Sequence, residues 1–125
     1  MSGRVVHFEI PFDDGDRART FYREAFGWDT PQMPEFEYTA AVTGPAGDQG
    51  PTEPGYINGG MFRRDGGELA GPIITIDVEN IEDALAKVTS LGGSPVGEKL
   101  AVGEMGFAAY FRDPEGNIMG LWQNA

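Results

Sequence analysis

Two segments of this chain repeat one order of predicted elements: a strand, a helix and then further strands. The first segment opens with "VVHFEI" and the helix "DDGDRARTFYREAFGW", and the second opens with "PIITIDVEN" and the helix "NIEDALAKVTSLGG". Their closing strands also match, since "GGMFR" at 59–63 parallels "MGLWQ" at 119–123. Repeated supersecondary units bury their apolar faces together. The sequence therefore predicts an α+β fold of two tandem βαβββ modules that form a half-open barrel around a central cleft.

The boundaries of the two modules follow from composition. Module one spans residues 4–65 and module two spans residues 71–123, and the Gly-rich segment "DGGELAG" joins them within one 125-residue domain. The segment "TGPAGDQGPTEPG" at 43–55 is predicted to be a loop, because Gly and Pro interrupt regular structure. Its role stays open between a mobile lid and a plain surface insertion.

Each predicted helix carries one apolar stripe and a residue that can cap its first turn. Asp14 or Asp16 can cap the first helix, Gly27 can end it, and Asn80 can cap the second helix. Apolar residues at helical spacing usually face the core. We therefore expect the stripe of the first helix to be buried; it consists of Ala18, Phe21, Tyr22, Ala25 and Phe26.

The first strand holds the only histidine of the chain. Side chains alternate along a strand, so His7 and Glu9 share one face, while Phe8 and Ile10 share the opposite face with Val6. A histidine and a glutamate on one face can serve as metal ligands or as an acid/base pair. They can also be polar residues that hydrogen-bond to neighbours such as Thr75 or Asp77.

Composition narrows the classes of partner. A formal net charge of −11 disfavours nucleic acid and anionic membranes. The absence of cysteine removes disulfides and thiolate catalysis, and no apolar run approaches the roughly 20 residues of a membrane helix. A cytoplasmic protein is the default expectation.

Three motifs together resemble the vicinal oxygen chelate superfamily, which comprises glyoxalases, bleomycin resistance proteins and dioxygenases. They are the opening "VHFEIP" with "FGW" after the first helix, the restart "ITIDVENIEDALAKV", and the ending "AYFRDPEGNIMGLWQ". The resemblance implies paired βαβββ modules around a cavity, and frequent homodimers. Metal-dependent members hold a divalent ion with His and Glu from the first and last strands of the modules.

Carried over residue by residue, that ligand set is incomplete in this chain. His7 matches the histidine of module one, and the matching position in module two is Thr75 or, with a shifted alignment, Ile73. The glutamate positions are Gly120 and, from the repeat, Gly60. A catalytic metal site usually needs three protein ligands. We therefore predict no metal and no other cofactor.

The remaining polar and aromatic residues predict a small-molecule site. The candidate catalytic residues are His7 and Glu9. The candidate ligand-binding residues are His7, Glu9, Tyr38, Asn58, Gly60, Thr75, Asp77, Phe107, Gly120 and Trp122. The leading interpretation is a metal-independent protein that binds a small organic molecule in the cleft. The alternatives are a metal-dependent lyase, isomerase or extradiol dioxygenase with an atypical ligand set, and a drug-sequestering resistance protein. Whether the chain is an enzyme stays open.

Overall fold

The computed structural model describes residues 3–34 and 37–125. It divides into two units: His7–Pro72, called here the N-terminal unit, and Ile73–Ala125 with the first residues up to Val6, called the C-terminal unit. None of the described helices has the length and apolar composition required to cross a bilayer.

Over its described residues, the N-terminal unit contains one helix and four strands of a mixed sheet. Its elements are β1 (Val5–Phe12), α1 (Gly15–Phe26), β2 (Gln32–Met33), β3 (Tyr38–Ala41), β4 (Ala46–Gly47), β5 (Gly50–Pro51) and β6 (Gly59–Arg63). The strands of the sheet lie in the order β2-β3-β6-β1. The β1 and β6 strands are parallel, and β6 pairs antiparallel with β3. The central position of β6 brings residues of β1 and β3 together. The sequence "EFEYTAAV" also predicts a strand from about residue 35 to 43, and its first two residues lie outside the described residues.

The helix α1 begins and ends where the sequence predicts. The side chain of Asp14 accepts a hydrogen bond from the backbone N–H of Arg17, so Asp14 rather than Asp16 is the cap. Gly27 ends the helix in the left-handed conformation, with φ of 75°.

The aromatic stripe of α1 corrects the expectation of a buried core. Phe21 is 57% exposed and Phe26 is 64% exposed. Both rings make edge contacts within one aromatic cluster, in which Tyr22 stacks on Trp28 with ring centres 4.7 Å apart. An amphipathic pattern identifies residues that share a face, and in α1 most of that face is exposed.

The Gly/Pro segment after β3 contains more order than a plain loop. Its β4 and β5 strands form a short antiparallel hairpin, with Ala46 opposite Pro51. The side-chain amide of Asn58 accepts from the backbone N–H groups of Thr43 and Gly44 and donates to the carbonyl of Gly44. The Asn58 side chain therefore holds the beginning of this segment beside β6.

The C-terminal unit follows the βαβββ order. Its elements are β7 (Ile73–Asp77), α2 (Ile81–Ser90), β8 (Ser94–Val102), β9 (Gly106–Arg112) and β10 (Ile118–Asn124), with the strands in the order β7-β10-β9-β8. Asn80 caps α2 as predicted, by accepting from the backbone N–H of Asp83. Ile81, fully buried, packs in a cluster with Ala109, Phe111 and Leu121. Ala84, Leu85 and Val88 of α2 pack against this cluster.

Candidate functional site

Three polar side chains of the N-terminal unit meet on one face of its sheet. Nε2 of His7 lies 2.8 Å from the Tyr38 hydroxyl, and that hydroxyl donates a hydrogen bond to Oε2 of Glu9 at 2.9 Å. The phenol thus bridges two side chains that stand two residues apart on β1. The sequence placed all three residues in the candidate site but did not identify this connection.

A glycine in β6 makes the connection possible. Gly60 pairs with Glu9 of β1 on one side and with Ala40 of β3 on the other. A Cβ built on Gly60 would overlap the Tyr38 hydroxyl and the ring carbons beside it. Because Gly60 has no side chain, the phenol of β3 can cross β6 and reach the residues of β1.

The hydrogen-bond chain fixes the protonation of its members. A carboxylate only accepts hydrogen bonds, so the single Tyr38 proton points towards Glu9. The Tyr38 oxygen must then accept from His7, and we assign the imidazole proton to Nε2. Burial lowers the pKa of His7 below its usual range, and the nearby Glu9 carboxylate raises it only in part. The lowered pKa favours the neutral imidazole, and we assign its lone pair to Nδ1.

Exposure along this face of β1 increases towards the N-terminus of the strand. Pro11 is buried, Glu9 is 8% exposed, His7 is half-buried and Val5 is 49% exposed. His7 is therefore the outermost polar member of the site, and Glu9 is the innermost. A molecule that approaches along this face meets the imidazole before the carboxylate.

The residues present do not fit a metal centre. Among residues 3–34 and 37–125, no group of three or more His, Asp or Glu side chains could hold an ion. The phenol of Tyr38 takes the space that a side chain at residue 60 would need, and it engages both His7 and Glu9. A phenol hydrogen-bonded to a carboxylate is a poor substitute for a ligand of a divalent ion.

The strand registers show which residues of the two modules are equivalent. Glu9 pairs with Gly60 across β1 and β6, and Thr75 pairs with Gly120 across β7 and β10. Glu9 and Thr75 also both lie five residues before the cap of the following helix. Glu9 therefore corresponds to Thr75, and His7 corresponds to Ile73, as in the shifted alignment. The Ile73 side chain has no metal-binding atom.

The other candidate residues lie outside the His7–Tyr38–Glu9 set. The Asn58 amide is occupied by the segment after β3. In the C-terminal unit, Thr75 lies beside Gly120, and Asp77 pairs with Trp122 in the β7–β10 register. Phe107 packs against the apolar cluster, with the Lys99 ammonium 4.2 Å from its ring centre. The involvement of these residues in ligand binding stays a prediction.

A cavity of about 440 Å³ lies at the beginning of α1 and has Tyr38 in its lining, but several of its charged groups are already engaged. Asp14 caps the helix, and Asp16 forms an ion pair of 2.6 Å with Arg19. Arg19 also donates to the hydroxyl of Thr39. These contacts indicate a structural role, so the His7–Tyr38–Glu9 set is the better candidate site.

Comparison with known proteins gives two sequence matches. The profile of a family described as bleomycin resistance protein-like N-terminal matches residues 4–44. A glyoxylase-like domain-containing protein from Didymella fabae is 30% identical over 122 residues, which cover 94% of this chain and 91% of that protein. The first match includes His7, Glu9 and Tyr38.

Solved structures with the same fold include epimerases. Methylmalonyl-CoA epimerase from Mycobacterium tuberculosis superposes with a TM-score of 0.62 at 16% identity, covering 98% of this chain and 88% of that one. A variant of the Streptomyces coelicolor enzyme, in complex with 2-nitronate-propionyl-CoA, superposes with a TM-score of 0.66 at 17% identity, covering 100% and 99%. At these identities the likeness is one of fold.

Proposed function

This chain belongs to the vicinal oxygen chelate superfamily and has its α+β glyoxalase-like fold, and from that premise we propose that it binds a small organic molecule at the His7–Tyr38–Glu9 site without a metal ion. Members of one fold differ in chemistry, so the proposal depends on the site itself.

The Tyr38 bridge is the observation that carries this proposal. It joins His7 and Glu9 by hydrogen bonds of 2.8 and 2.9 Å on a face whose exposure increases towards His7. Sites for small molecules combine apolar and aromatic walls with a few fixed polar groups. The Tyr38 ring and the two fixed polar groups of β1 have this composition.

Metal analysis of the purified protein tests the metal-independent part of the proposal. We expect Zn, Fe, Mn and Ni below one tenth of the protein concentration, with added ions leaving the melting temperature unchanged. Binding of a metal raises the stability of the folded state, so a tight site would raise the melting temperature. One equivalent of bound metal that is lost in His7→Gln would overturn the proposal in favour of a metal-dependent enzyme.

The single histidine allows binding of an organic molecule at the site to be measured directly. Imidazole ¹H and ¹⁵N signals of the chain arise from His7 alone. A mixed set of neutral aromatic, heteroaromatic and aliphatic compounds is added, and we expect some compounds to shift the His7 signals saturably. Tyr38→Leu should weaken this binding, whereas Glu24→Gln on the exposed side of α1 serves as the matched control. A set that leaves the His7 signals unchanged would contradict the proposal.

The macromolecular partner that we propose is a second copy of the chain. The exposed rings of Phe21 and Phe26 support this, because clustered apolar groups on a surface often mark protein interfaces. Sedimentation equilibrium should give a dimer for the wild type and a monomer for Phe21→Glu. Thr20→Glu places the same charge one residue away and serves as the control. A monomeric wild type at all concentrations would contradict this expectation.

A further inference from the structure

The rings of His7 and Tyr38 lie side by side and form a nearly flat surface. Their planes differ by 14°, their centres are 6.4 Å apart, and Nε2 of one ring lies 2.8 Å from the hydroxyl oxygen of the other. This centre-to-centre distance is close to the largest that a hydrogen bond between a ring nitrogen and a phenol oxygen permits. Two face-to-face rings, by contrast, place their atoms in van der Waals contact. The hydrogen bond therefore runs within a common plane.

The two rings are held in this orientation from two directions. Glu9, which is buried on the same face of β1 as His7, accepts from the Tyr38 hydroxyl. The backbone of Gly60 lies against the hydroxyl end of Tyr38, where any larger residue would displace the ring. Preorganised rings lose little conformational entropy when a ligand binds. We call the His7 and Tyr38 rings together the two-ring platform.

The imidazole also leaves a hydrogen-bond acceptor at the edge of the two-ring platform. Within residues 3–34 and 37–125, the only side-chain hydrogen bond of His7 is the one through Nε2. With Nε2 donating to Tyr38, Nδ1 carries the lone pair and can accept. His7 is half-buried and lies on the more exposed side of Glu9, so the imidazole is the polar group that a ligand meets first.

Resting on the proposed function, we propose that the two-ring platform takes a planar conjugated ligand that carries an N–H or O–H donor for Nδ1 of His7. The flat surface favours a ligand that is flat over two fused rings, because offset stacking increases the contact of such rings. The acceptor at the edge of the platform selects among flat ligands those that carry a donor. A saturated ring system with an N–H or O–H group meets the requirement for a donor but, because its rings are puckered, not the requirement for flatness.

Three probes of similar size separate the two requirements on the wild-type protein. 2-Naphthol is planar and has an O–H donor, 2-methoxynaphthalene is planar without a donor, and decahydro-2-naphthol has the donor on puckered rings. Titrations monitored on the His7 imidazole signals give the three dissociation constants. We expect 2-methoxynaphthalene to bind about fivefold more weakly than 2-naphthol, as for the loss of one hydrogen bond. Decahydro-2-naphthol should also bind several-fold more weakly, because it cannot stack.

Two variants then assign each preference to its ring. In His7→Phe the flat ring remains but Nδ1 is lost, so the preference for 2-naphthol over 2-methoxynaphthalene should disappear. In Tyr38→Leu the preference for 2-naphthol over decahydro-2-naphthol should fall, while the signal of His7 still reports binding. Signals of other residues on β1 report binding in the phenylalanine variant.

The outcomes distinguish this inference from the proposed function. Equal dissociation constants for 2-naphthol and decahydro-2-naphthol, or for 2-naphthol and 2-methoxynaphthalene, overturn the two-ring platform but leave a small-molecule site at His7. A preference for the O–H probe that persists in His7→Phe overturns the role of Nδ1 alone. If the wider set of compounds in the metal-free protein also fails to shift the His7 signals, the proposed function itself fails.

Discussion

The two helices begin in the same way and are used differently. The capping residue of α1 is Asp14, which lies five residues after Glu9, and that of α2 is Asn80, which lies five residues after Thr75. Glu9 and Thr75 each pair with a glycine of the neighbouring strand. The residue after the cap is Gly15 in α1 and Ile81 in α2. Ile81 is fully buried in the apolar cluster, whereas Gly15 lies under the side chain of Arg19. The repeat therefore preserves the backbone positions but not the packing.

The glycines opposite those residues show the same contrast. The space beside Gly120 holds the Thr75 side chain, with Oγ1 2.7 Å from where a Cβ would lie, and Ile73 lies nearby. The space beside Gly60 holds the Tyr38 phenol, which joins His7 and Glu9. In the C-terminal unit this position packs small and apolar groups, and in the N-terminal unit it holds a polar hydrogen-bonded set. The ligand binding that we propose would thus use only the copy of the repeat in the N-terminal unit.

The largest effect on stability should come from Ile81, the buried first residue of α2. Ile81→Ala removes a fully buried side chain, and we expect the free energy of unfolding to fall by about 2–5 kcal/mol. Phe26→Ala in α1 removes a larger side chain that is 64% exposed, and should cost less than about 1 kcal/mol. Urea unfolding of both variants measures the contrast. Equal losses would show that α1 is packed as tightly as α2.

The next largest effect on stability should come from a methyl group added at Gly60 or at Gly120. Gly60→Ala forces the end of Tyr38 aside and breaks its bonds to His7 and Glu9, so we expect a loss of about 1–3 kcal/mol. Gly120→Ala meets the Thr75 hydroxyl and, less closely, the Ile73 side chain, but it displaces no ring and should cost less. Unfolding in urea and the His7 imidazole signals should both change in Gly60→Ala.

A double variant identifies the cause of that loss. In a Tyr38→Ala background the added methyl group at residue 60 has no ring to displace, so Gly60→Ala should cost little there. In such double-mutant cycles, the losses in unfolding free energy of two residues in contact depart from additivity by roughly 0.5–3 kcal/mol. Additive losses would mean that Tyr38 does not lie over Gly60.

Signals that act within a few residues predicted the helices and the repeat. The capping residues Asp14 and Asn80 and the terminal Gly27 mark helix ends through local hydrogen bonds and backbone conformation. The position of Gly60 opposite Glu9 was not predicted in this way, because strand register depends on pairing between segments about 50 residues apart.

His7, Glu9 and Tyr38 were among the ten residues predicted for the site, but the hydrogen bonds that connect them were not predicted. Alternation along β1 placed His7 and Glu9 on one face, and the repeat pointed to Gly60. The bond from Tyr38 to both residues depends on the phase of β3 and on the missing side chain at residue 60, and these combine only in the folded sheet. The exposure of Phe21 and Phe26 likewise depends on what covers α1, which an apolar stripe does not specify.

A smaller effect should follow from removing only the bridging hydroxyl. Tyr38→Phe keeps the ring over Gly60 but leaves Glu9 without this donor, so we expect a loss of about 1–2 kcal/mol in the free energy of unfolding. Tyr22→Phe is the matched control, because the Tyr22 ring acts by stacking on Trp28 and should cost less than about 0.5 kcal/mol. Equal losses of unfolding free energy for Tyr38→Phe and Tyr22→Phe would mean that the bridging hydroxyl stabilises the fold no more than the hydroxyl of Tyr22 does.

The smallest effect is a dependence of stability on pH that arises from His7 of the N-terminal unit. Burial lowers the pKa of folded His7, while the unfolded chain takes up a proton near the ordinary value of about 6.5. Between these two pKa values the unfolded chain binds more protons, so the free energy of unfolding decreases as pH falls. This loss is complete below the pKa of folded His7, and it is absent above the unfolded pKa.

The matched variant His7→Gln isolates this dependence from the titration of the acidic residues. As pH falls below about 6.5, the free energy of unfolding should decrease more for the wild type than for His7→Gln. Because the Glu9 carboxylate raises the pKa of His7, Glu9→Gln should lower that pKa further, as measured on the imidazole signals. A His7 midpoint above the ordinary histidine range would show that the charged imidazole is the favoured form, and the assignment of Nδ1 as an acceptor would then be wrong.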